Sequence, residues 1–181
     1  MKIQKTKIKG VLLLQPNVYK DERGYFLESF NSKEFYKLTK VKASFVQDNQ
    51  SFSVKGVLLG LHFQNPPYAQ AKLVRVIKGS VIDVALDIRK SSPTYGKYVM
   101  KELSEKNHIM MYIPEGMAHG FLTLENDTIF SYKCSNYYNK ESEDCIFWND
   151  PDLEIKWPIQ NPILSIKDQN AKKFASFVSK F

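Results

Sequence analysis

Apolar and polar residues alternate with a period of two through the middle of the chain. In SVIDVALDI, Ile82, Val84, Leu86 and Ile88 alternate with Asp83, Ala85 and Asp87, which predicts a half-buried strand. Similar short segments follow one another at GVLLGLHFQ, KLVRVIK, YGKYVMKEL, IMMYIP, HGFLTLEN and TIFSYKC, with Gly, Pro, Asn, Ser or Asp between them. Many short strands separated by turn residues predict an all-β sandwich or barrel. Helical spacing is sparse. NSKEFYKL offers Asn31 as an N-cap with Glu34 three residues on, an arrangement like the capping box. At the C-terminus Ala171, Phe174, Val178 and Phe181 recur at helical intervals after Asp168, predicting a helix with an apolar stripe that docks on the barrel or on a partner subunit. No internal repeat or linker divides the chain, so one domain over 1–181 is expected, with a barrel core at about 45–150 and a helical tail at about 168–181.

The same alternation sorts the polar side chains. It places Leu58, Gly60, His62 and Gln64 on one side of GVLLGLHFQ and Val57, Leu59, Leu61 and Phe63 on the other. Lys72, Val74 and Val76 share a face of the next strand, as do Thr128, Phe130, Tyr132 and Cys134 of a later one. A polar group among large apolar neighbours costs free energy unless it is hydrogen-bonded or functional. Taken singly, His62 is as readily a satisfied core residue as a catalyst, Tyr132 is one of ten tyrosines, and Lys72 reads as a surface lysine. Their combination around one cavity is what would make them chemical.

Composition narrows the class. With 181 residues, 43% of them hydrophobic, the chain supports one substantial core. The net charge of +7 raises the question of nucleic acid. The basic residues, however, are interleaved with Asp and Glu, and no nucleic-acid-binding motif is present. A solvated basic surface is the reading that remains, and it is compatible with attraction of a small anionic ligand. GVLLL near the N-terminus is too short for a signal peptide and no run is long enough to cross a membrane. Cys134 and Cys145 lack metal-ligand spacing and are expected to be reduced in the cytoplasm.

A metal-binding barrel would carry a His-x-His pair followed shortly by a carboxylate. Here the pair is His62 and Gln64, and the stretch that follows supplies Lys72 instead of an acid. An amide is a poor ligand for metals that favour imidazole, and an ammonium repels a cation, so no metal is expected.

The stretches DERGYFLESF, FVQDNQS, GLHFQ, AQAKLVRV, PEGMAHGF, DIRKSSPTYGKY and PILSIKD occur in an order and at a spacing that resemble the dTDP-4-dehydrorhamnose 3,5-epimerases, over about residues 17–168. The resemblance implies a cupin-type jelly-roll barrel, a homodimer, no cofactor, and a 4-keto-6-deoxyhexose on thymidine diphosphate as substrate. By position, His62 is similar to the family's general base, Asp168 to its carboxylate partner, Tyr132 to the acid on the opposite face, and Lys72 to the lysine beside the enolate oxygen. Arg23, Glu28, Gln47, Asn49, His119, Glu143 and Lys167 match ligand-contacting positions, and the family's N-terminal segment reaches the site across the dimer. Two departures stand out. Leu59 replaces an arginine that contacts the diphosphate, a charge-assisted contact of about 1.5–3 kcal/mol, and Gln50 and Phe52 alter the neighbouring QDNHSRS pattern. The same base and acid would serve an epimerase acting at one carbon only. A sugar-nucleotide-binding cupin without activity is the reading outside enzymes.

Overall fold

The computed structural model describes residues 1–42 and 44–181. Thirteen strands dominate it: β1 (Lys2–Lys5), β2 (Leu12–Gln15), β3 (Val18–Asp21), β4 (Gly24–Leu27), β5 (Gln47–Ser53), β6 (Leu58–Gln64), β7 (Lys72–Lys78), β8 (Ser80–Asp87), β9 (Tyr98–Ser104), β10 (Met110–Ile113), β11 (Met117–Thr123), β12 (Thr128–Cys134) and β13 (Glu143–Cys145). They form an antiparallel six-stranded sheet in the order β1-β2-β10-β7-β12-β5, a five-stranded sheet in the order β13-β6-β11-β8-β9, and the separate hairpin β3-β4. This is the expected jelly roll. The six-stranded sheet begins earlier than the barrel core read from the alternation, because β1 and β2 extend it through β10.

Alternating residues of both sheets meet in the interior. Leu13, Val74, Val76, Met111 and Phe130 come from one sheet and Val81, Ala85, Leu103, Met117 and Phe121 from the other. The outer faces are covered too. The helix α1 (Ser32–Thr39) and its flanks lay Phe30, Phe35 and Phe45 over Leu14, Leu73 and Met110. Asn31 caps it, accepting from the amides of Lys33 and Glu34 at 3.1 and 3.2 Å. The C-terminal part of the chain sets Ile146, Leu153, Ile155 and Phe177 on Leu61, Phe63, Val84 and Leu86.

That double coverage corrects the reading of β8 as a half-buried strand. Asp83 and Asp87 are fully buried, since one face of β8 looks into the barrel and the other lies beneath the C-terminal segment. Asp87 is satisfied by Arg89, Ser92 and Thr94.

The helical tail at 168–181 is also corrected. Only the single turn α2 (Ile166–Gln169) and a 3-10 turn (Phe174–Ser176) form there. Outside those two turns the tail bonds mainly to the rest of the chain: Phe147 donates its amide to the Lys172 carbonyl, Lys90 to that of Phe181, and Phe174 to the Asp150 carboxylate. Phe177 is buried while Val178 is 79% exposed, so the stripe spaced for a helix is not the buried set. Among the described residues no helix is long and apolar enough to cross a membrane.

Candidate active site

The site is organised by an irregularity in β6. His62 pairs with His119 of β11, but Leu59 pairs with Phe121, so three steps along β6 match two along β11. The extra residue is a β-bulge, which reverses the faces on either side of it. Gly60 sits there with φ +122°, and a Cβ on it would lie 2.5 Å from the Cα of Gly120, so a side chain is excluded on both counts. The face assignment from simple alternation is therefore corrected. Leu58 packs outside with Leu122 and Trp148, whereas Leu59, like His62, lies on the barrel side, against the interior core.

His62 opens into a cavity of about 120 Å³, whose walls include Asn49, Lys72, Tyr132, Tyr138 and Glu143. Its Nε2 lies 2.6 Å from Oδ1 of Asp168, which is almost fully buried. Asp168 belongs to α2, capped by Ser165, and the Ser165 hydroxyl donates to Oδ2 at 2.6 Å. Burial pushes the Asp168 carboxyl up, but the hydrogen bonds from His62 and Ser165 outweigh it and hold the group below its ordinary value. An ionised carboxylate only accepts, so Nε2 carries the proton and Nδ1 is left as the basic atom.

The facing wall comes from the other sheet. Lys72 opens β7 and Tyr132 lies on β12, with the ammonium 5.7 Å from the centre of the phenol ring. Burial pulls the Lys72 pKa down, opposed by Cys134, Asp83 and Glu143. Burial pushes the Tyr132 phenol up, which keeps it a proton donor. The cavity thus sets an imidazole from one sheet opposite a phenol and an amine from the other.

Around these groups, Glu143 is ion-paired with Lys167 at 2.6 Å and accepts from the Tyr138 hydroxyl at 2.9 Å. Burial raises the Glu143 pKa, but those two bonds prevail and lower it. Gln47 donates to Asn49 at 3.0 Å. His119 lies deeper in the barrel, with Nε2 2.9 Å from Asp83 Oδ2. Burial pulls the His119 pKa down against the opposing pull of Asp83. Asp83 was missed from sequence because it was assigned to a solvated face. The usable signal was its place between Val81 and Ala85, which face the barrel core.

Two sequence-derived candidates are not brought to the cavity of their own chain. Arg23 stands exposed at the tip of the β3-β4 hairpin, paired with Asp21. Glu28 accepts from Asn31 at 3.2 Å on the surface. Among the described residues no three His, Cys, Asp or Glu side chains converge as a metal ion would require.

Comparison with known proteins gives a consistent picture. The family described as dTDP-4-dehydrorhamnose 3,5-epimerase matches residues 5–176. The chain is 54% identical to the dTDP-4-dehydrorhamnose 3,5-epimerase of Shigella flexneri over 174 residues, 96% of each chain. A crystal structure of dTDP-4-dehydrorhamnose 3,5-epimerase from Elizabethkingia anophelis superposes with a TM-score of 0.92 at 51% identity, covering 97% of both chains. The dTDP-6-deoxy-D-glucose-3,5-epimerase of Legionella pneumophila, solved in complex with dTDP-4-keto-L-rhamnose, gives 0.94 at 46% identity over 98% of this chain and 94% of that one.

Proposed function

Because the chain belongs to the dTDP-4-dehydrorhamnose 3,5-epimerase family, we propose that it converts dTDP-4-dehydro-6-deoxyglucose to dTDP-4-dehydrorhamnose by inverting C3 and C5. The observation that carries this reading is the placement of His62 and Tyr132 on opposite sheets with Lys72 beside the phenol. Inversion at carbon requires removal of a proton from one face and its return to the other, and two groups facing across a cavity can do both.

The 4-ketone acidifies the hydrogens on C3 and C5. His62 Nδ1 accepts one of them, and the electron pair moves onto the C4 oxygen as an enolate. Lys72 supplies the fixed positive charge beside that oxygen. Asp168 holds the imidazole in orientation and favours the imidazolium that forms. Tyr132 then donates its hydroxyl proton to the opposite face of the carbon as the enolate collapses to the ketone. The imidazolium returns its proton to solvent, the phenolate takes one up, and the cycle repeats at the second carbon. Every proton is accounted for by these side chains and water.

Arg23 and Glu28 contact the ligand of a second copy in this reading, because no residue of the hairpin that carries Arg23 lines the cavity of its own chain, and Tyr19, Tyr25 and Phe26 on it are exposed. A homodimer is the assembly proposed. Leu59 leaves the diphosphate to other cations, and Lys167, which pairs with Glu143 of the cavity wall, would have to exchange that partner to serve. Both thiols are free and buried, in keeping with a cytoplasmic enzyme.

The test is an NMR assay in heavy water with dTDP-4-dehydro-6-deoxyglucose, coupled to a reductase that consumes the product. Deuterium is expected at both C3 and C5 of the product, and His62→Ala is expected to abolish incorporation at both. Exchange confined to one carbon would assign a single-carbon epimerase. No exchange at all would leave a binding protein.

A further inference from the structure

We propose that Gln64 is a positioning residue: its side-chain amide fixes residues 137–139 and thereby holds the Tyr138 phenol in the cavity wall. The consequence for turnover rests on the epimerase reading above; the clamp itself does not. Gln64 lies two residues beyond His62 on β6 and is 5% exposed. Its Nε2 donates to the carbonyls of Tyr68 at 2.7 Å and Tyr137 at 3.1 Å, and its Oε1 accepts from the amide of Asn139 at 2.7 Å. One amide therefore grips the backbone immediately before and immediately after Tyr138. Two more glutamines complete the hold: Gln47 accepts from the Tyr138 amide at 2.9 Å, and Gln70 donates to the Asn136 carbonyl at 2.7 Å.

The segment between β12 and β13 has no strand or helix to fix it, so its geometry depends on side-chain partners. With the backbone held, the Tyr138 hydroxyl reaches Glu143, which lies opposite Gln64 in the β6–β13 register and pairs with Lys167, the neighbour of Asp168. The strand that presents the base thus also sets the rim of the cavity above it. Neither shortening nor ionisation of this side chain preserves the arrangement. Asparagine is one methylene shorter, and a glutamate carboxylate would face two carbonyl oxygens with no proton to offer.

The experiment uses the full chain with Gln64→Met, which keeps the buried volume and removes all three hydrogen bonds. Amide hydrogen exchange at Asn139 should accelerate by about tenfold or more, the scale of one net hydrogen bond. KM for the nucleotide sugar should rise by a similar factor, about tenfold on the same scale. In a Tyr138→Ala background the Gln64→Met effect on KM and kcat should nearly vanish, because residues acting through one another are non-additive. Equal effects in both backgrounds, or unchanged exchange at Asn139, would overturn the proposal. Should Gln64→Met fail to fold, Gln64→Leu, which also removes all three hydrogen bonds, carries the same cycle. Absence of epimerase activity in the unmodified chain would sink the functional reading alone, since amide exchange still decides whether the clamp exists.

Discussion

At the scale of the residue, the division of labour between His62 and Tyr132 makes a sharp expectation. Tyr132→Phe retains the ring that packs against the interior core and removes the proton that the half-buried phenol would donate. Deuterium exchange through abstraction and return on the His62 face should persist, while formation of inverted product falls by about 10²–10⁴-fold, the usual contribution of general acid catalysis. Near wild-type epimerisation at both carbons would make Tyr132 a packing residue. Tyr138, whose hydroxyl bonds Glu143 at the rim, would then be the donor to examine. His62, Lys72 and Tyr132 stood out in sequence as polar residues on largely apolar strand faces, but taken singly each had an ordinary structural reading, and their roles came from resemblance to family positions. Asp168 was legible only through its resemblance to a family position. Its contact with His62 spans 106 residues, a separation that no periodicity encodes.

At the scale of the element, the turn after β8 shows how a buried carboxylate fixes a loop. Burial opposes ionisation of Asp87, but the hydrogen bonds from Arg89, Ser92 and Thr94 prevail and lower its pKa from 3.8 to about 2. A depressed carboxylate contributes stability that is complete above its unfolded pKa and is lost as pH falls through 3.8 towards 2. The contribution is on the order of 2 kcal/mol. Urea unfolding should show Asp87→Asn less stable by about that amount at neutral pH, with the gap to wild type shrinking as pH falls from about 4 to about 2. A gap independent of pH would mean that the ionised form is not what the turn requires. The strand β6 makes the complementary point about reading elements. Alternation placed His62 and Gln64 on a common face, but it also put Leu58 there, because the pattern cannot register the extra residue that the Gly60–Gly120 approach accommodates.

At the scale of the whole molecule, two stacked sheets give a cavity with walls of different chemistry, and the remaining question is assembly. The hairpin β3-β4 presents Tyr19, Tyr25 and Phe26 at 62, 55 and 68% exposure, an apolar set of the kind that marks an interaction surface. A dimer of twice 21.0 kDa is expected in sedimentation. Phe26→Lys should shift it towards monomer and weaken substrate binding, since Arg23 on the same hairpin would no longer reach a neighbouring site. A monomer with undiminished activity would refute both the assembly and the shared site.

Local chemistry settled a good part of this protein in advance. The period of two located β6 to β12, though not β1 to β5 or β13, and Asn31 marked the start of α1. These are properties of neighbours in the chain, and neighbours are what a sequence displays. The tertiary structure decided the rest. It buried Asp83 and Asp87, because their side of β8, shared with Val81 and Ala85, is the one that faces the opposite sheet, while the apolar side lies beneath the C-terminal segment. It replaced the helix expected at 168–181 with a strap, because the barrel offers the tail's backbone partners that compete with its own. It turned Gln64 into a clamp on residues 137–139, because an amide can be satisfied by any carbonyl and amide that folding brings within reach.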